Sequence, residues 1–168
     1  MKKRYLIDTN ILATPSRQYY SFDLIPSFWQ WLMHLIQDGT VVIMDKVFDE
    51  LIRGNDELVA WLGDVPKNRI LSSKNERIIL AYQEILTYIQ ESSSYTDKAL
   101  REWSKADIAD PWLIAVARVN GFELVTFEQR AGKIIVPSKN PKIPDIADAF
   151  QVDCISLFTL MRNEHFHI

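Results

Sequence analysis

Four carboxylates, each placed against a different apolar run, are the residues of this sequence best suited to chemistry. Asp8 follows Tyr5-Leu6-Ile7 and leads through Thr9 and Asn10 into Ile11-Leu12. Glu50 lies within Val47-Phe48-Asp49-Glu50-Leu51-Ile52, Asp110 opens Asp110-Pro111-Trp112-Leu113-Ile114-Ala115, and Glu128 comes just after Leu124-Val125-Thr126-Phe127. A carboxylate, a hydroxyl and an amide at the end of a buried strand cost free energy unless partners or a cation satisfy them. If the four carboxylates converge, they repel one another, and a hard divalent cation with oxygen ligands relieves that repulsion. Mg²⁺ suits such a set because it keeps waters and takes few carboxylates plus substrate phosphate oxygens; Mn²⁺ accepts the same oxygens. One or two such ions can activate water and stabilise the leaving oxygen in phosphodiester cleavage. No Cys or His stands near the carboxylates at zinc spacing, so the set does not suit a soft metal.

Each carboxylate also has a plainer role open to it. Asp8 can be an N-cap for the helix after it. Glu50 can be a solvated helix residue, with Asp49 beside it competing for any site role. Asp110 can be a cap before Pro111, with Asp107 as its rival, and Glu128 can be an ordinary loop residue.

The elements that would carry these residues alternate between strand and helix. Tyr5–Ile7 reads as a first strand and Thr40–Met44 as a second, continuously apolar from Val41 as a doubly covered parallel strand should be. Ile70-Leu71, 123–127 and 152–155 read as three more. A short helix starts near Ile11 and is disrupted by Pro15. Phe28, Trp29, Trp31, Leu32, Leu35 and Ile36 recur at helical spacing before Gly39. Asp45 and Asn55 can cap the next two helices, a long apolar-faced helix covers 78–89, and another runs from about 96 to 105. Pro111 suits the first turn of a helix ending near Gly121. Residues 128–145, rich in Pro, Lys and Asn, read as a loop, and Ser156 can cap a closing helix. The alternation predicts one domain with a parallel sheet of about five strands covered on both faces, a three-layer α/β/α sandwich.

Composition agrees with a single globular domain. The chain has 168 residues, 48% of them apolar and 24% charged, enough to build a core without staples. Its lone cysteine, Cys154, allows no internal disulfide and fits a reducing compartment. Met-Lys-Lys-Arg is followed by an apolar run too short for a leader, and nothing approaches a membrane span, so a cytoplasmic protein that does not enter the membrane is expected. The net charge of −3 argues against a dedicated nucleic-acid-binding module. It leaves room for an enzyme whose acidic site carries metal when it meets a polyanion.

Taken together, Tyr5-Leu6-Ile7-Asp8-Thr9-Asn10-Ile11-Leu12, the Glu50 helix, Ala109-Asp110-Pro111-Trp112-Leu113-Ile114-Ala115-Val116-Ala117 and Leu124-Val125-Thr126-Phe127-Glu128 resemble the PIN domain, in the family's order and over nearly the whole chain. Phe28-Trp29-Gln30-Trp31-Leu32 and Lys142-Ile143-Pro144-Asp145 look closest to the branch catalogued as domain of unknown function 4411. The resemblance implies a strand order of 3-2-1-4-5 and a metal-dependent endoribonuclease, commonly the toxin of a toxin–antitoxin pair. By position it implies Asp8, Glu50 and Asp110 as catalytic, metal-holding residues, with Thr126 and Glu128 matching a fourth motif in which the family often has Asp. The longer Glu128 would ligate directly or through water. Thr9 and Asn10 would support Asp8 by hydrogen bonds. RNA would be the substrate and a protein antitoxin a partner; a homodimer is also expected, with the helix of Trp29 and Trp31 suiting either protein interface. The rival functions are a metal-dependent nuclease acting on DNA or structured nucleic acid, and a binding or regulatory module that no longer cleaves.

Between Glu128 and Asp145 there is no acidic residue, whereas Arg130, Lys133, Lys139 and Lys142 all fall there. This basic loop is expected either to hold RNA phosphates beside the metal site or to be a solvated mobile segment. Lys46 and Arg53 flank Glu50 and are weaker phosphate candidates. The five tryptophans sit in helical apolar patterns and read as core, which leaves Tyr19 and Tyr20 as the better base-stacking candidates. His165 and His167 belong to a tail expected to fray, and Cys154 reads as a small buried apolar residue.

Overall fold

The computed structural model describes residues 3–54 and 56–167. Its frame is a five-stranded, all-parallel sheet, β1 Tyr5–Ile7, β2 Val41–Met44, β3 Ile70–Leu71, β4 Glu123–Val125 and β5 Cys154–Ile155, in the order β3-β2-β1-β4-β5. Helices cover both faces, making the expected three-layer sandwich. β1 lies at the centre, with Leu6 in register with Val42 on one side and Leu124 on the other. Every residue of β1 and β2 is buried, as a strand covered on both faces requires, and this accounts for the unbroken apolar runs in the sequence.

The helices lie close to their expected places. α1 spans Thr9–Thr14, and at Pro15 the chain widens into a single π-turn, Pro15–Tyr19, closed by the Tyr20 N–H on the Pro15 carbonyl, so Pro15 ends the α-helix but not the helical path. α2, Pro26–Asp38, buries Phe28, Trp29, Leu32, Leu35 and Ile36. Gly39 ends it at φ 82°, a left-handed conformation that glycine adopts without a side-chain penalty. α3 is Asp45–Leu51 and α4 is Glu57–Gly63. The cap expected at Asn55 lies outside the described residues; Asp56 accepts from the Val59 N–H at the start of α4. The long helix α5, Glu76–Glu91, packs mainly along α7, Asp110–Asn120, with α6, Asp97–Trp103, between them in sequence. α9, Leu157–Asn163, closes the chain and is capped by Ser156 as expected. Among the described residues no helix is long and apolar enough to cross a membrane.

Three expectations change. Residues 143–145 are not loop: Ile143–Ala149 forms helix α8, with Pro144 in its first turn, and the Pro-Lys-Asn composition just before it concealed the helix start. Nor is the preceding basic segment slack. Ser138 donates its N–H to the Ser94 carbonyl and accepts from the Thr96 N–H, which clips the segment to the α5–α6 junction. The chain end is also folded back. Phe166 lies 5.1 Å from the Trp31 ring and edge-on to Phe28, and Trp31 donates to the Glu164 carbonyl. With Trp29 only 2% exposed, the α2 tryptophans are used within the chain and form no free interface face.

Candidate acidic site at the carboxyl edge of the sheet

In the order 3-2-1-4-5 the chain winds one way from β1 to β3 and the other way through β4 and β5, so the crevice opens beyond the carboxyl ends of β1 and β4. Asp8 and Thr126 stand at that point. The Asp8 N–H donates to the Val125 carbonyl, which extends the β1–β4 ladder by one bond and fixes where the Asp8 side chain begins. Asp8 occupies the N-cap position of α1, yet its side chain makes no capping bond. Instead its Oδ2 accepts from the Thr126 hydroxyl at 3.0 Å. That hydroxyl in turn accepts the Glu128 N–H at 3.0 Å, so one buried threonine positions parts of two proposed motifs.

Glu50 comes from α3 and is exposed as a residue, but it is not adrift: the Thr9 hydroxyl donates to its Oε2 at 2.8 Å. Thr9 thus holds Glu50 through its side chain and favours the ionised form of Asp8 through its backbone N–H. Asn10, expected to support Asp8, is exposed and faces a neighbouring cleft; among the described residues no side-chain hydrogen bond uses its amide. Asp110 sits in the first turn of α7, where a negative charge is favoured by the helix dipole, and Pro111 fixes the turn. Its side chain makes no cap bond. Asp107 is exposed on the surface 3.8 Å from Arg53, which removes it as the rival of Asp110. Asp49 is exposed too, and among the described residues nothing bonds it to the crevice.

The electrostatics show that the four carboxylates share one locale. Burial pushes the Asp8 carboxyl up to about 6, with the charges of Glu128 and Glu50 adding to the effect and the Thr126 hydroxyl opposing it. Burial pushes Asp110 up to about 7, reinforced by the charges of Asp8, Glu128 and Glu50, while Lys142 pulls it down. Glu128 has neighbours of its own. Its Oε2 accepts from the Ile143 N–H at 2.8 Å, at the start of α8, and its Oε1 lies 3.6 Å from the Lys142 ammonium. Among the described residues no group of three or more His, Cys, Asp or Glu side chains is already arranged to enclose a metal ion. The donor chemistry is all carboxylate, and Asp110 makes no hydrogen bond or ion pair among the described residues. Both features fit a hard cation rather than zinc or copper.

The basic loop separates into parts with different surroundings. Arg130 is held by both oxygens of Asp148, each at 2.6 Å, and the Ala131 N–H donates to Asp145. Lys142 faces Glu128, while Lys133 and Lys139 are exposed, with no ion pair among the described residues. A stretch free of acid in sequence therefore meets acid in space, from a helix that the sequence pattern concealed. Lys46 is also committed, lying over the Trp112 ring at 5.4 Å and donating to the Ala106 carbonyl. His34, by contrast, is exposed on α2. Cys154 is half-buried rather than fully buried, and desolvation pushes its thiol up to about 12, which disfavours the thiolate.

A cleft of about 750 Å³ opens beside Glu128. Sequence reasoning missed Phe158 as part of its wall. The signal was present, because Phe158 is out of step with Leu157 and Leu160, which α9 buries.

The chain belongs to the family described as Domain of unknown function (DUF4411), whose model matches residues 5–168. No curated protein matches it. The strand order and three-layer architecture are compatible with a PIN-like affiliation.

Proposed function

We propose that this chain is a Mg²⁺- or Mn²⁺-dependent endoribonuclease of PIN type that hydrolyses RNA phosphodiesters. The observation that carries this reading is the gathering of Asp8, Glu50, Asp110 and Glu128 from four separate elements at the switch point of the sheet. There, burial and mutual repulsion hold the Asp8 and Asp110 carboxyls at about 6 and about 7. A fold gains no stability from such an arrangement, whereas a divalent cation makes it favourable.

Asp8, Glu50 and Asp110 would hold the ion, with Glu128 reaching it directly or through water. When bound, the ion supplies a water-derived nucleophile and stabilises charge developing on the phosphodiester oxygens. The chain's own residues prepare the site. The Thr126 hydroxyl holds Asp8 in one orientation, and the Thr9 hydroxyl does the same for Glu50. Restraint of this kind limits the rearrangement needed on binding. Lys142 places an ammonium beside Glu128, within reach of a phosphate oxygen approaching the same edge. Exposed Lys133 and Lys139 would engage the RNA backbone further out, and Arg130 would contribute once released from Asp148.

The toxin role, restraint by a protein antitoxin, self-association as a homodimer and a cytoplasmic location follow from the PIN resemblance. The direct test is cleavage of single-stranded RNA by purified protein with Mg²⁺ or Mn²⁺, with and without chelator. Asp8→Asn and Asp110→Asn should each abolish cleavage. No cleavage with either ion, or normal cleavage by both variants, would overturn the reading.

A further inference from the structure

The cleft beside Glu128 has a make-up that the catalytic reading does not use. Its volume of about 750 Å³ lies in the range of small-ligand sites. Besides Tyr20, three rings line it, Tyr19 from the π-turn, Phe127 after β4 and Phe158 on α9. Tyr19 is 63% exposed and Phe158 is 55% exposed. Among the described residues none of the three has an aromatic stacking partner, whereas Tyr20, one residue from Tyr19, stacks on Phe28 at 4.6 Å. The same cleft carries Asn10 and Thr14, whose side chains make no hydrogen bond among the described residues. Unpaired aromatic faces next to an unspent planar amide match a flat ring with a hydrogen-bonding edge better than they match a lipid chain or a charged peptide.

Position adds the second argument. Asn10 is two residues beyond Asp8, and Glu128 belongs both to the cleft wall and to the carboxylate set. A polynucleotide with a phosphate at the carboxylates therefore brings an adjoining nucleoside to the cleft mouth. We propose that the cleft is a nucleobase subsite that takes one unpaired base of a single-stranded RNA, stacked on Tyr19, Phe127 or Phe158 with its edge on Asn10. This deepens the nuclease reading and rests on it for the placement of the phosphate. A base inside a duplex is already stacked and paired and cannot enter without being extruded, so the subsite selects single strands or loops.

The test uses the full chain and two kinds of change. Tyr19→Ala, Phe158→Ala and Asn10→Ala alter the cleft, with Leu24→Ala, on an exposed side chain away from it, as the control. Labelled single-stranded RNA oligonucleotides, intact or carrying one abasic position scanned along the strand, are measured for binding by fluorescence anisotropy in EDTA and for cleavage with Mn²⁺. Intact RNA should bind Tyr19→Ala and Phe158→Ala about tenfold more weakly than wild type, with the loss in KM rather than kcat. Removing the base at one position should weaken wild type similarly and leave the two variants no weaker. Equal binding by wild type and variants, or the same variant defect on every abasic strand, overturns the subsite. The two readings fail separately. Base-dependent binding without cleavage would keep the subsite and discard the nuclease, whereas cleavage indifferent to the cleft variants and to base removal would do the reverse.

Discussion

The two edges of the parallel sheet treat charge in opposite ways. At the amino edge, Lys3 pairs with Glu123, and Arg4 donates to the Gly39 carbonyl while lying over the Phe122 ring. Here each of these charges has a partner within the chain, a counter-charge for Lys3 and Glu123, a carbonyl and a ring face for Arg4. At the carboxyl edge, carboxylates from four elements are gathered without a matching number of cations, and two of them are pressed toward their neutral forms. Both edges belong to the same strands and the same core, so the fold does not impose the second arrangement. The contrast marks the carboxyl edge as the one where charge is gathered without enough partners inside the chain.

The largest difference should come from the acidic edge itself. Asp8→Asn or Asp110→Asn should lower metal-dependent RNA cleavage by about three orders of magnitude, the scale of losing several kcal/mol of ionic stabilisation. The same substitutions should raise the melting temperature of metal-free protein at pH 8, because each removes a desolvated negative charge beside other carboxylates. Activity loss accompanied by lower metal-free stability would mean that these residues serve the fold.

The next effect is on pH. Burial and the neighbouring carboxylates push Asp8 and Asp110 up to about 6 and about 7 in the folded chain, well above the usual range of an aspartate near 3.8. Between those values the folded chain holds more protons than the unfolded one, so stability falls as pH rises. Metal-free protein should therefore be most stable below about pH 4 as far as these two groups are concerned, and lose on the order of a few kcal/mol by pH 7–8. Mg²⁺ or Mn²⁺ should offset the loss, so the rise in melting temperature on adding either ion should be larger at pH 8 than at pH 5. An equal rise at both values would separate ion binding from these carboxylates.

Thr126→Val should come third. It leaves the Glu128 N–H without its acceptor and Asp8 without its hydroxyl donor, which costs about 1–3 kcal/mol in chemical denaturation. It should also move the acid limb of cleavage to higher pH. Glu50→Gln should be smaller still for folding, within about 0.5 kcal/mol of wild type because the residue is exposed, while weakening activation by metal. Asp49→Asn, one residue earlier, should change neither, and Lys3→Ala at the amino edge should leave both melting temperature and cleavage unchanged within error.

How much of this was legible in the sequence follows from how local each signal is. The central strands were readable because burial on both faces leaves an unbroken apolar run, and even the two-residue β3 showed as Ile70-Leu71. Asp8 and Asp110 were readable because each interrupts such a run at an element boundary. The rest depends on contacts between residues far apart in the chain. Nothing near Arg130 announces that Asp148, 18 residues on, will hold it, since Asp148 rides on a helix whose start is disguised by Pro, Lys and Asn. The division of labour at Thr9, hydroxyl to Glu50 and N–H toward Asp8, depends on how α1 meets α3 and has no trace in spacing.

The bond from the Ile143 N–H to Glu128 makes one amide a reporter on that carboxylate. While Glu128 accepts it, this proton is shielded from solvent deuterium. If Glu128 swings onto a cation, the proton loses its acceptor and its exchange should accelerate on adding Mg²⁺, while the amides deeper in α8 stay slow. If Glu128 acts through a bridging water, the Ile143 rate should hold steady while activity appears. A single exchange rate, read by NMR with and without metal, thus separates the two modes of ligation.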